Sequence, residues 1–173
     1  MSSVPGGSGE PAAVAVLAEL GRLSETLATA ESLTGGLIGE LLTGVPGASS
    51  SYVGGVISYA TRLKETLAGV PATTLQELGP VAARTAQEMA IGVAGRCSAD
   101  WGLAVTGVAG PEPQDGHPVG QVFVGLAYPA GGWTSVRELR LSGSRAEIRS
   151  QTAVAALALL TEALRNVARS SRR

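Results

Sequence analysis

The sequence predicts an α/β fold, a single three-layer domain with a mixed β-sheet flanked by helices. Three observations carry that prediction. Apolar residues alternate along the chain between helical spacing and short β-branched runs, so helices interleave with strands. Near the C-terminus, two strand-like runs at 120–128 and 133–141 are separated only by Pro129-Ala-Gly-Gly, which makes an antiparallel hairpin and therefore a mixed sheet. A length of 173 residues with 45% hydrophobic content suffices for one good core.

The elements follow in order. Residues 11–23 place Ala, Val and Leu at helical spacing and read as a first helix, and 25–30 as a short extended run. Glu31-Ser-Leu-Thr-Gly-Gly feeds an apolar helix over 37–42, and 44–51 is a turn-rich loop. Residues 52–59 read as a strand in which Gly54 and Gly55 suggest a bulge. Thr61 is expected to cap a helix containing Lys64, and Pro80 and Val81 to open a long amphipathic helix ending near Arg96. After the strand 101–106 comes a loop, 107–119, with three of the nine prolines. The hairpin leads to a last Ala/Leu-rich helix over 144–169. Residues 1–10, rich in Gly, Ser and Pro, are expected to be a disordered tail, 11–168 the domain, and 169–173 a basic tail.

Composition narrows the function classes. A net charge of −1 leaves no electrostatic footprint for nucleic acid and no polybasic membrane patch beyond the terminal Arg-Ser-Ser-Arg-Arg. No apolar run approaches transmembrane length and no signal-peptide plan opens the chain, so a cytoplasmic protein is expected. Cys97 is the single cysteine, which rules out an intrachain disulfide. With His117 as the only histidine, a conventional Cys/His zinc site is excluded too. Cys97 reads as a small hydrophobe at a helix end, and His117, between Gly116 and Pro118, as a solvated turn residue. No metal and no cofactor are expected.

One cation stands apart. Of thirteen Lys and Arg residues only Lys64 is lysine. A guanidinium keeps its proton in proteins, whereas an amine can be made to release one and act as a base. A general base near neutrality needs its pKa lowered from about 10.4 to roughly 7–8, worth about 4 kcal/mol. That exceeds what a helix N-terminus supplies, so burial of the ammonium must provide the rest. Given such a base, a loop serine becomes an activated nucleophile, and Ser49, Ser50 and Ser51 are all candidates from the pattern alone. Tyr59 could relay the proton or hold the serine.

Three further segments end or begin at loops. Ser32, Thr34, Gly35 and Gly36 lie where glycines let a ligand approach and backbone N–H groups favour an oxyanion or phosphate. Thr106, Gly107 and Gly110 form a glycine-rich loop beyond a strand end. Ser144 and Glu147 have capping-box spacing at the start of the last helix. Arg145 sits there against the helix dipole, where an anion, typically phosphate, would compensate it.

Together these segments resemble one family, the CinA C-terminal domain or nicotinamide-nucleotide amidase family. The matching residues are Ala30-Glu-Ser-Leu-Thr-Gly-Gly, Gly47-Ala-Ser, Ser58-Tyr59 with Lys64, Gly69-Val70, Thr106-Gly-Val-Ala-Gly-Pro, Pro118-Val-Gly and Gly143-Ser-Arg145. The resemblance implies hydrolysis of the carboxamide of nicotinamide mononucleotide to nicotinic acid mononucleotide and ammonia, by a serine–lysine pair and without a metal. It assigns Ser49 as nucleophile and Lys64 as base, with Tyr59 alongside. Ser32, Thr34, Gly35 and Gly36 would line the site and help hold the oxyanion. Thr106, Gly107 and Gly110 would contact substrate, and Arg145 would hold the phosphate.

Two departures from the family pattern stand out. Leu33 replaces a usual cysteine, and Glu112-Pro-Gln-Asp-Gly-His stands where a glycine pair is usual, with consequences for substrate affinity or choice. The amino-terminal molybdopterin-binding-like domain of some relatives is not expected in a chain of this length. The rival expectation is a non-catalytic nucleotide sensor, and a third is an amidase acting on another amide. A homo-oligomer is expected, a dimer by preference, formed through an apolar face of the helix over 81–96.

Overall fold

The structure, a computed structural model, describes residues 9–170. Most of the expected N-terminal tail and residues 171–173 of the C-terminal one lie outside these bounds. The first helix begins at Glu10 and the last one ends at Ser170. Thirteen elements follow in the order α1 Glu10–Leu23, β1 Leu27–Glu31, α2 Leu37–Thr43, a 3-10 turn Ala48–Ser50, β2 Tyr52–Ile57, α3 Thr61–Thr66, α4 Ala72–Leu78, α5 Ala83–Arg96, β3 Trp101–Gly107, β4 Gln121–Tyr128, a second 3-10 turn Pro129–Gly131, β5 Trp133–Arg140 and α6 Arg145–Ser170. The five strands form one sheet in the order β2-β1-β3-β4-β5. β2 and β3 run parallel to β1, whereas β3–β4 and β4–β5 are antiparallel, so the mixed three-layer sheet stands as expected.

Each face of the sheet carries its own core. On one side α1, α2 and α6 pack through Leu20, Ile38, Leu42, Leu157, Leu160 and Leu164 against Leu27, Leu103 and Val124. On the other, Met89, Ala90 and Val93 of α5 meet Ala28, Ala30 and Ala104. This second interface is unusually close. A Cβ added at Gly102 would lie 1.9 Å from Ala90 O, and one at Gly125 2.2 Å from Ala86 O. Small residues on β1, β3 and β4 therefore let α5 lie almost directly on the sheet backbone.

Three sequence expectations need correction. The long helix does not open at Pro80 but at Ala83, and α4, which the sequence reading missed, precedes it. The apolar face of α5 is spent on the sheet: Ala86, Met89, Ala90, Val93 and Ala94 are buried, leaving only Ile91 among its large apolar side chains exposed. That face is not available for a dimer. Thr61 is the first helical residue of α3, whose N-cap is Ala60 with no side-chain cap. By contrast, the bulge expected at Gly54 appears as a register shift in β2, where Leu27 pairs with Tyr52 but Ala28 with Gly54. The capping box at α6 is also formed, Ser144 N–H donating to Glu147 Oε2 at 2.7 Å and Glu147 N–H to Ser144 Oγ at 3.2 Å.

This topology decides where a site can form. β1 has a parallel neighbour on each side, so the chain leaves it toward β2 and later returns on the opposite side as β3. Ligand crevices of open α/β sheets lie beyond the carboxyl ends of strands at such points. Ser32 follows β1, Ser58 and Tyr59 follow β2, and Gly107–Gly110 follow from the end of β3.

Candidate active site

At that edge lies a cavity of about 270 Å³ lined by Ser32, Leu33, Tyr59, Lys64, Thr106, Gly107, Gly110, Glu112, Gln114 and Arg145, with Pro80 and Val81 closing one wall. Three loops and the start of α6 build it. Its centre is Lys64, whose side chain is only 2% exposed. Nζ lies 2.9 Å from Ser32 Oγ, 2.8 Å from the Ser58 carbonyl oxygen and 3.4 Å from that of Tyr59. Helix α3 is short, and Lys64 is its one buried residue.

Burial lowers the Lys64 amine from the usual 10.5 to about 8. The cause is desolvation of the charged form, and no carboxylate among the described residues forms an ion pair with the amine to oppose it. In the ammonium form the three protons meet two carbonyls and the serine. When neutral, the amine gives its two protons to the carbonyls of Ser58 and Tyr59, and its lone pair faces the Ser32 hydroxyl. That is the arrangement a general base requires: hydrogen-bond reach and a pKa near neutrality.

The structure separates the expected site residues into two groups. Ser32, Tyr59, Lys64, Thr106, Gly107 and Gly110 meet in the cavity with Arg145. Ser49 does not. It is exposed in the 3-10 turn before β2 and borders a different depression with Thr43, Pro46 and Tyr52. The reason is topological. Ser49 precedes the amino end of β2, whereas Lys64 follows its carboxyl end, and a six-residue strand spans about 20 Å. Ser32, reached from the neighbouring parallel strand, takes the place beside the lysine.

Tyr59 is placed differently from expectation too. Its backbone oxygen faces Lys64, while its phenol accepts a hydrogen bond from Arg145 Nη2 at 3.1 Å, so it does not bridge lysine and serine. Arg145 Nη1 also donates to Gly110 O at 2.7 Å, tying two loop walls to α6. Thr106 lines the cavity, but its hydroxyl donates to Pro80 O at 2.7 Å. Thr34, Gly35 and Gly36 are not on the cavity wall. Thr34 is fully buried with Oγ1 unpartnered. The Gly35 and Gly36 N–H groups are already engaged, by Ser32 O at 3.1 Å and Glu31 Oε1 at 3.2 Å. Those two amides cannot serve an oxyanion. The N–H groups of Leu33 and Thr34 make no hydrogen bond within the described residues.

Two contributors went unseen in the sequence. Glu31, 3% exposed, accepts from the N–H groups of Gly36, Ile38 and Gly39, clamping the start of α2 to the end of β1. Arg149, one turn after Arg145 on α6, donates to Leu33 O and Thr34 O. The i, i+4 spacing of the two arginines was the available signal. His117 is held away from the cavity, Nδ1 lying 2.8 Å from Gln121 Oε1. Among the described residues no three His, Cys, Asp or Glu side chains gather where they could hold a metal ion, and no helix is long and apolar enough to cross a membrane.

Comparison with known proteins places this geometry. A CinA-like protein from Frankia casuarinae is 47% identical over 163 residues, 94% of this chain and 37% of that protein. A putative competence-damage inducible protein from Acetivibrio thermocellus is 52% identical over 128 residues, 73% of this chain and 30% of that protein. The chain thus spans about a third of the length of the curated relatives it matches. Among solved structures, the competence/damage inducible protein CihA from Agrobacterium tumefaciens is 36% identical with a TM-score of 0.87, covering 95% of this chain and 99% of that one. A CinA superfamily protein from Klebsiella pneumoniae is 29% identical with a TM-score of 0.88, covering 92% and 99%. The family model for the CinA C-terminal domain matches residues 10–164, and the chain belongs to that family.

Proposed function

We propose that the protein is an amidohydrolase that removes ammonia from nicotinamide mononucleotide, with Ser32 as nucleophile and Lys64 as its general base. One observation carries the reading: the only lysine of the chain is buried, lowered to about 8, and 2.9 Å from a serine hydroxyl at the cavity wall. This moves the nucleophile from Ser49, which the resemblance indicated, to Ser32.

The chemistry follows from the contacts. Neutral Lys64 takes the Ser32 proton as Oγ bonds to the amide carbon. The carbonyl electron pair moves onto oxygen, received by the unpaired N–H of Leu33 at the cavity wall, a donor of this kind being worth about 3–4 kcal/mol in the transition state. An N–H that follows the nucleophile in sequence is a recurrent oxyanion donor. As the C–N bond breaks, the Lys64 ammonium protonates the departing nitrogen, giving ammonia and an acyl-serine. Water then adds, its proton passing to Lys64, and that proton returns to Ser32 Oγ as the carboxylic acid leaves. A pyridinium beside Lys64 further favours the neutral amine by like-charge repulsion. Arg145 is the residue for the phosphate, already oriented by Gly110 O and the Tyr59 phenol.

The test is ammonia release from nicotinamide mononucleotide by wild type, Ser32→Ala and Ser49→Ala. Turnover by wild type and by Ser49→Ala within about twofold, with a loss of more than about 10³-fold in Ser32→Ala, is the expected result. Full activity in Ser32→Ala would sink the assignment. Nucleotide binding by the wild type without ammonia release would favour a sensor instead.

A further inference from the structure

The turn after Ser32 is locked at every peptide. Gly35 N–H donates to Ser32 O at 3.1 Å. Arg149 Nε donates to Leu33 O at 2.9 Å. Arg149 Nη2 and Leu37 N–H share Thr34 O, at 3.0 and 3.1 Å. Gly36 N–H donates to Glu31 Oε1. A trans peptide is planar, with its C=O and N–H pointing in opposite directions. Holding Ser32 O against the Gly35 N–H therefore holds the Leu33 N–H on the opposite side, and Arg149 fixes the carbonyl of that same residue.

Arg149 is otherwise hard to account for. It is half-buried, yet no carboxylate among the described residues pairs with it, and its two hydrogen bonds there go to backbone carbonyls of this one turn. It also lies close over the turn, since a Cβ at Gly35 would stand 3.4 Å from Nη2. From the other side Glu31 takes three N–H groups, and Gly39 leaves room for that carboxylate and for the Tyr52 hydroxyl, 3.5 and 3.1 Å from where its Cβ would lie. A cation gathers the carbonyls and an anion gathers the amides. The two amides left over are Leu33 and Thr34.

We propose that Arg149 is a positioning residue for hydrolysis: by gripping the Leu33 and Thr34 carbonyls it holds the turn that presents the Leu33 N–H to the developing oxyanion, with Glu31 bracing the turn from the opposite side. The proposal rests on the Ser32–Lys64 reading above. It differs from a substrate-binding role for Arg149, because a positioning residue lowers kcat and leaves KM nearly alone.

The experiment measures kcat and KM for ammonia release from nicotinamide mononucleotide in Arg149→Ala and Arg149→Lys, with thermal melts as the check on folding. Arg149→Ala should lose about 10²–10³ in kcat, the worth of one oxyanion donor, with KM within about threefold, and added guanidinium ion should restore part of the loss. Arg149→Lys, which keeps the charge and most of the stem but not the two-pronged grip, should fall between; if the alanine variant does not fold, this variant decides. A raised KM at unchanged kcat, or wild-type kinetics in both variants, overturns the proposal.

A substrate-independent readout is the labelling rate of Ser32 by a fluorophosphonate, whose phosphoryl oxygen occupies the oxyanion position. That rate should fall in proportion in Arg149→Ala, and an unchanged rate overturns the proposal. Labelling of wild type at Ser32 without ammonia release removes the amidase reading and leaves the labelling ratio to decide on Arg149. Neither labelling nor release removes both.

Discussion

The pH profile of the proposed amide hydrolysis is the sharpest consequence of assigning the base to the buried lysine. An amine titrating at 10.5 would be neutral in only about 0.03% of molecules at pH 7, whereas one at about 8 is neutral in about 10%. Desolvation thus raises the population of working base roughly 300-fold, equivalent to about 3.4 kcal/mol. The free enzyme's kcat/KM should climb about tenfold per pH unit between pH 6.5 and 7.5, bend near pH 8 and level off above it. At pH 7 it should stand about tenfold below the plateau. Ammonia release coupled to an indicator dehydrogenase, run from pH 6.5 to 9.5, measures the curve while staying above the titration of the substrate phosphate near 6.

Lys64→Arg tests the cause of that limb. The guanidinium keeps the charge but cannot release a proton, so the loss should be about 10²–10⁴-fold, and whatever activity remains should no longer bend near pH 8. A profile flat from pH 6.5 to 8.5 in the wild type would refute the reasoning. So would a limb that survives unchanged in Lys64→Arg.

Two further outcomes concern stability. The Lys64 amine is lowered in the folded state relative to the unfolded chain, so the unfolded chain holds more protons between about pH 8 and 10.5, and folding gains stability as pH rises through that window. Below pH 8 the cost of burying the charge is fully present. Urea melts at pH 7 and 10 should therefore show wild type gaining about 2–3 kcal/mol relative to Lys64→Met, a comparison that cancels other titrating groups; no gain would mean the ammonium is solvated. Gly102→Ala should lose cooperative folding altogether, because its Cβ would stand 1.9 Å from Ala90 O, and a melting temperature within a few degrees of wild type would show that α5 lies farther from the sheet.

Much of the lining of the candidate cavity was legible from residue types. Lys64 was identifiable because it stands alone among arginines, and Ser32, Thr106, Gly107, Gly110 and Arg145 because they end or begin elements at loops. Their convergence follows from parallel strands: β1, β2 and β3 all finish at one edge of the sheet. The expected Ser49–Lys64 pair is not formed in the structure, although Ser49 is only fifteen positions from Lys64 along the chain. A strand carries the chain to the far end of a domain, so nearness in sequence gives distance in space. Ser32, thirty-two positions away, is brought to 2.9 Å by the pairing of β1 with β2. Helix α4 is not legible in the sequence because seven residues, of which only Thr74 is buried, offer too few turns for periodicity to show.

Local pattern was therefore enough to specify the alternation of helices and strands, the mixed sheet, the capping box of α6 and the need for an unusual lysine. These depend on interactions within a few residues or on which face is apolar, information that sequence carries directly. Which hydroxyl meets that lysine, which amides of the Ser32 turn stay unpaired, and which arginine holds its carbonyls were decided only by tertiary structure. Each of those depends on hydrogen bonds between segments that strand pairing brings together, and a hydrogen bond is settled by tenths of an ångström that no spacing along a chain encodes.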